Sequence, residues 1–94
     1  MNTVIYKYPL EKSIVHMPKG AQILKIAQQH SPVSKGIFIW ALVDPDVAFE
    51  PRVFKTLMTG LPYDEEDISL LQYIDTLYLY DNTYVLHVFE QINK

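Results

Sequence analysis

Arg52 is the only arginine of the chain, and Lys55, Thr56 and Thr59 follow it closely. A guanidinium fork, an ammonium and hydroxyls are the groups that hold a phosphate. In a strand, Arg52 and Lys55 point to opposite faces unless a bulge intervenes, so an ion pair of Arg52 with Glu50 or an acidic loop competes with that use. Tyrosine is the second chemical resource, with seven copies. Tyr6 and Tyr8 stand together, Tyr78, Tyr80 and Tyr84 crowd another segment, and Tyr78 and Tyr80 share one face of a strand. Such rings form cross-strand pairs by default. They also serve as a platform for a base or a protein partner, because Tyr offers a large apolar face and a hydroxyl.

Catalytic patterns do not occur. There is no Gly-rich phosphate loop, no His-Glu-x-x-His and no nucleophile elbow, so no enzyme is expected, and no cofactor or metal. His16, His30 and His87 fall in three separate segments, and His87 on its apolar strand reads as a hydrogen-bonded structural residue. Asp44 and Asp46 flank Pro45, a pattern in which Asp side chains accept backbone N–H bonds within a turn. The acidic run Asp64, Glu65, Glu66, Asp67 reads as a solvated loop or one helical turn. With no cysteine, disulfides, thiolate catalysis and cysteine-based metal sites are excluded.

The 94 residues are expected to form one domain, residues 1–94, large enough for a core. The net charge of −3 divides into +2 over residues 1–47 (five Lys, three acids) and −5 over residues 48–94 (three basic residues, eight acids). That balance argues against a duplex nucleic-acid binder, which wants a basic face. No signal-like leader opens the chain, and no apolar run has the length of a membrane helix, so no membrane partner is expected.

The elements that must position these groups are strands. Ile37–Val43 is apolar on both of its alternating faces, which predicts a strand covered on both sides with Trp40 in the core. Asp44-Pro45 ends it. Thr3–Tyr8, Ser13–Met17, Arg52–Thr59, Gln72–Tyr80 and Thr83–Phe89 also alternate, and Asp81-Asn82 suits a hairpin turn. Ala21–Gln28 admits a helix by composition, but its short span between turn signals favours a strand. Seven short strands predict a mainly β fold, a small antiparallel sandwich or barrel.

The segments YKYPLE (Tyr6–Glu11), PKGAQILKI (Pro18–Ile26), WALVDPD (Trp40–Asp46), TG (Thr59-Gly60) and HVFE (His87–Glu90) resemble a family of small, uncharacterised proteins found mostly in bacteriophages. The resemblance implies a phage accessory protein in the cytoplasm of an infected bacterial host. Small phage proteins without catalytic residues often oppose host immunity. The leading expectation is an anti-defence sponge that sequesters a small anionic nucleotide signal without cleaving it. Tyr6, Tyr78 and Tyr80 would stack on the base, and Arg52, Lys55 and Thr59 would hold phosphate, in a homo-oligomer whose subunits share the pocket. The alternatives are an inhibitor that occludes a host defence protein and a virion or assembly accessory protein.

Overall fold

The computed structural model describes residues 2–31, 35–79 and 82–92. Alternating apolar residues form strands at seven places: β1 (Val4–Pro9), β2 (Ile14–Pro18), β3 (Gln22–His30), β4 (Lys35–Val43), β5 (Phe49–Met58), β6 (Leu71–Leu79) and β7 (Tyr84–Gln91). A single helical turn, α1 (Glu65–Ile68), sits on the acidic run. All pairings are antiparallel, in one sheet of order β1-β4-β3 and another of order β2-β5-β7-β6. The fold is therefore mainly β, and the two sheets are not closed into a barrel. Ala21–Gln28 belongs to a strand, as its length suggested.

Local chemistry explains the turns. The Asp44 carboxylate accepts the Asp46 N–H at 3.0 Å, the expected turn role. Asn82 takes φ 68°, a left-handed conformation that Asn tolerates. Pro51 lies inside β5, whereas the sequence placed it just before the strand. Residues Phe49–Val53 of β5 pair only with β2, and Phe54–Met58 pair only with β7. Pro51 thus occupies a stretch with one unpaired side, where a missing N–H costs no ladder bond.

The core lies between the sheets, built from Val15 and Met17 of β2, Ile26, Ile39, Ala41 and Val43 of the smaller sheet, and Phe54, Leu77, Leu79 and Val88 of the larger. Trp40 is not among them, against expectation. The core face of β4 consists of Ile37, Ile39, Ala41 and Val43, so Phe38, Trp40 and Leu42 face outward. Among the described residues, the contacts on that outer face come from side chains of the same sheet. The Lys7 ammonium lies 4.6 Å from the centroid of the Phe38 ring and donates to Gln29 Oε1 at 2.8 Å, spanning the sheet from β1 to β3. Phe38 is buried, while Trp40 and Leu42 stay half-buried. Alternation fixed which residues share a face; among the described residues, no second sheet packs on this one.

The sheets meet along β3 and β6. Each strand carries a bulge there, at Leu24 and at Ile74, which bends the two edges. The Asp75 carboxylate accepts the Ile26 N–H at 3.1 Å and the Thr76 N–H at 2.8 Å, and lies 3.5 Å from Lys25 Nζ. A side chain thereby supplies the acceptor that a neighbouring strand would give. Asp75→Ala is expected to cost about 1–3 kcal/mol by stranding the Ile26 amide. Asp75→Asn, which keeps an acceptor oxygen, is expected to retain most of that stability. Urea denaturation of the two variants measures the difference, and equal losses would refute the amide-capping role.

The molecule is broad and thin, 43 × 40 × 18 Å, with a radius of gyration of 14.2 Å, against about 12.4 Å expected for a domain of this length. Its accessible surface is 6672 Å², about 1,100 Å² more than the roughly 5,600 Å² expected of a monomer of this mass.

Candidate functional site

In the larger sheet, Phe54, Leu77, Leu79 and Val88 turn to the core, so their strand neighbours Lys55, Leu57, Thr76, Tyr78, His87 and Phe89 turn outward. Pairing arranges these outward residues in rows across β5, β7 and β6. Lys55 lies beside Phe89, which faces Tyr73; Leu57 lies beside His87, which faces Thr76. At the end of β5, the Thr59 N–H donates to Val85 O at 3.4 Å, and Val85 faces Tyr78. The face is aromatic and open: Tyr73 is 55% and Tyr78 is 64% exposed.

A chain of hydrogen bonds crosses this face. Tyr73 Oη lies 2.7 Å from Thr76 Oγ1, which lies 3.1 Å from His87 Nδ1. His87 Nε2 lies 2.8 Å from Thr59 Oγ1. Both nitrogens of His87 are thus engaged by hydroxyls, the structural role expected of it. Tyr73 and Phe89 meet edge to face at 5.7 Å and 74°. The network holds hydroxyls and rings in fixed places on a sheet, which is more rigid than a loop.

Beside the lower rows, the segment carrying α1 folds back to leave a cleft of about 470 Å³. Leu57, Ile68 and Leu70 give it apolar walls, Tyr63 a ring, and Lys55 and Asp67 opposite charges. The Tyr63 hydroxyl accepts the Met58 N–H at 3.1 Å, which ties the segment to the end of β5. The volume falls within the about 300–1,000 Å³ of small-molecule sites.

Of the residues expected to bind ligand, Lys55, Thr59 and Tyr78 share this face. Arg52 and Tyr6 do not. Arg52 has the parity of Phe54 and turns inward, donating through Nε and Nη2 to both Glu90 oxygens, with Nη2–Oε1 at 2.9 Å, and through Nη1 to Ala21 O at 2.8 Å. Its partner is Glu90 rather than Glu50 or the acidic run; Glu50 instead accepts the Gly20 N–H at 3.3 Å. The bonds to Glu90 push the Arg52 pKa up, against the opposing effect of burial. A guanidinium so occupied is not offering its fork to a phosphate. The warning that Arg52 and Lys55 face opposite ways holds, because no bulge interrupts β5 between them.

Tyr6 lies on the other sheet, edge to face with Tyr8 at 6.4 Å. The Tyr8 hydroxyl is buried without a hydrogen-bond partner, and burial, then Tyr6, raises its pKa. Tyr80 falls outside the described residues. The sequence reading missed Tyr73, Thr76 and Phe89 as members of the face. Thr76 shares the parity of Tyr78, and Phe89 that of His87, so alternation could have found both. The bulge at Ile74 hides Tyr73 from the same count.

Among the described residues, no three His, Asp or Glu side chains are placed to hold a metal ion, and no helix is long and apolar enough to cross a membrane. The arrangement is suited to stacking, hydrogen bonding and apolar contact. No curated protein and no solved structure matches the chain. A family model described as "Domain of unknown function (DUF7352)" matches residues 1–94, and the chain belongs to that family.

Proposed function

We propose that this protein binds a nucleotide signal on the outer face of β5, β7 and β6 and sequesters it without cleaving it. The observation that carries the reading is the exposed, hydrogen-bonded face of Tyr73, Thr76, His87 and Thr59, flanked by Tyr78, Phe89 and Lys55 and opening into the cleft at α1. Aromatic rings on a sheet stack bases, and hydroxyls and a lysine hold phosphate oxygens. Asp67 and Gln91 at the cleft supply an acceptor and an amide for a base edge. With Lys55 as the lysine on this face, the ligand is one of low charge, such as a cyclic dinucleotide. On this reading, and in keeping with its resemblance to phage accessory proteins, the protein acts as a non-enzymatic antagonist of host signalling in the cytoplasm of an infected bacterium.

The test is incubation with cyclic dinucleotides, cyclic oligonucleotides and ADP-ribose-derived signals, followed by heat release and chromatography. Intact recovery of one compound is expected. Tyr73→Ala should weaken its binding roughly 5- to 150-fold, the equivalent of about 1–3 kcal/mol for one stacked base. Tyr6→Ala, on the other sheet, should leave it unchanged. A degraded product would replace the sponge with an enzyme, and binding lost equally with both variants would move the site.

A second reading is favoured by the apolar rim of the cleft, where Ile68 is 38% and Leu70 41% exposed. There the same face occludes a host protein, with the tyrosines as anchors. Retention of a single host polypeptide, with no compound bound, would select it.

A further inference from the structure

The four sheet edges are treated unequally. β3 and β6 are bulged and joined through Asp75. β2 is short and ends in the buried Pro18. β1 is straight, pairs with β4 in unbroken register over six residues, and has no strand on its other side among the described residues. Its hydrogen-bonding direction follows from one contact. The Leu10 N–H donates to Ile37 O at 2.8 Å in continuation of that register. Even-numbered residues therefore turn their backbone groups to β4, and Ile5 and Lys7 turn theirs outward. Such an edge is commonly protected by an outward lysine or a proline, and Pro9 supplies the proline only at the last residue of β1. Lys7 does not provide the lysine, because its ammonium is drawn back over Phe38 to Gln29.

We propose that β1 is a dimerisation edge, pairing antiparallel with β1 of a second copy about a twofold axis at Tyr6. This register sets Ile5 opposite Lys7 of the second copy, and each of these pairs exchanges two backbone hydrogen bonds. Thr3 then faces Pro9, which lacks an N–H but offers its carbonyl. A register centred on Lys7 would oppose two ammonium-bearing chains and set Ile5 against Pro9, so it is disfavoured. Ile5, 56% exposed, packs on the aliphatic stem of the opposing Lys7, and Tyr6, 43% exposed, meets its own copy. The result is a continuous sheet of six strands. The occupant is a second copy because the pairing is self-complementary. The protomer's surface, about 1,100 Å² above that expected for a monomer of its mass, is in keeping with association of copies. The proposal is independent of the nucleotide reading, whose face belongs to the other sheet.

Sedimentation or light scattering at high micromolar concentration is expected to give twice the protomer mass of 10.9 kDa. Ile5→Lys, which replaces the apolar contact at the seam with a second cation on the side of Lys7, should return the protomer mass with an unchanged circular dichroism spectrum. Ile5→Glu, opposite Lys7, should keep the dimer. Amide exchange at Ile5 and Lys7 should be slow in the dimer and fast in the Ile5→Lys monomer. A monomeric wild type would overturn the proposal, as would an Ile5→Lys variant of undiminished mass. So would a dimer dissociated by Tyr78→Lys but not by Ile5→Lys. A monomer whose β1 amides become protected only with a host peptide would assign the edge to that peptide instead.

Discussion

Arg52→Met is expected to destabilise the fold by about 2–4 kcal/mol, somewhat less than the about 3–5 kcal/mol for breaking a fully buried pair. The discount reflects the 16% exposure that each side chain retains. The loss arises because Glu90 would keep its charge between the sheets with no partner, and Ala21 O would lose its donor. The double variant Arg52→Met/Glu90→Leu should recover most of the stability, since two apolar side chains of similar volume leave no orphan charge. Chemical denaturation of the wild type, the single and the double variant reads all three values. Nucleotide binding by the folded double variant should match the wild type. A lost affinity there, with stability recovered, would restore Arg52 to the ligand site.

Phe54→Ala carries the largest expected effect. Phe54 is 2% exposed and packs in the core at the residue where β5 passes from its pairing with β2 to its pairing with β7. Removal of a buried phenyl costs about 3–5 kcal/mol, a large part of the total stability of a domain this size. The melting temperature should fall by at least roughly 12 °C. Phe49 of the same strand is 57% exposed, and Phe49→Ala should shift stability by no more than about 0.5 kcal/mol. Thermal melts that reversed this order would contradict the assignment of faces along β5.

Alternation made the strands legible, because half-buried sheets write burial into every second residue. It also separated Arg52 from Lys55 and marked His87 as a bonded residue of its strand. Three things were not legible. Pairing between distant segments placed Tyr6 on one sheet and Tyr78 on the other, and periodicity carries no information on partners. The bulge at Ile74 moved Tyr73 onto the face of Thr76 by one extra residue. Glu90 captured Arg52 from thirty-eight positions away, a choice fixed by tertiary geometry. Trp40 shows a different limit: a two-sided apolar strand says that both faces are apolar, not that both are covered.

The strand order of the larger sheet sets a constraint in time. β7 is the last of the seven strands to leave the ribosome, yet it stands between β5 and β6. β5 and β6 emerge with no ladder between them and wait until their common partner arrives. Beyond the β2–β5 pair, growth of the larger sheet therefore waits for β7, and the β6–β7 hairpin is the more local of the two pairings that β7 makes. Until then the emerging chain holds Phe54 and Leu77 without the Val88 that later joins them in the core. Apolar strands left exposed in this way are what makes an incompletely folded chain aggregation-prone, and closure of the last hairpin covers them.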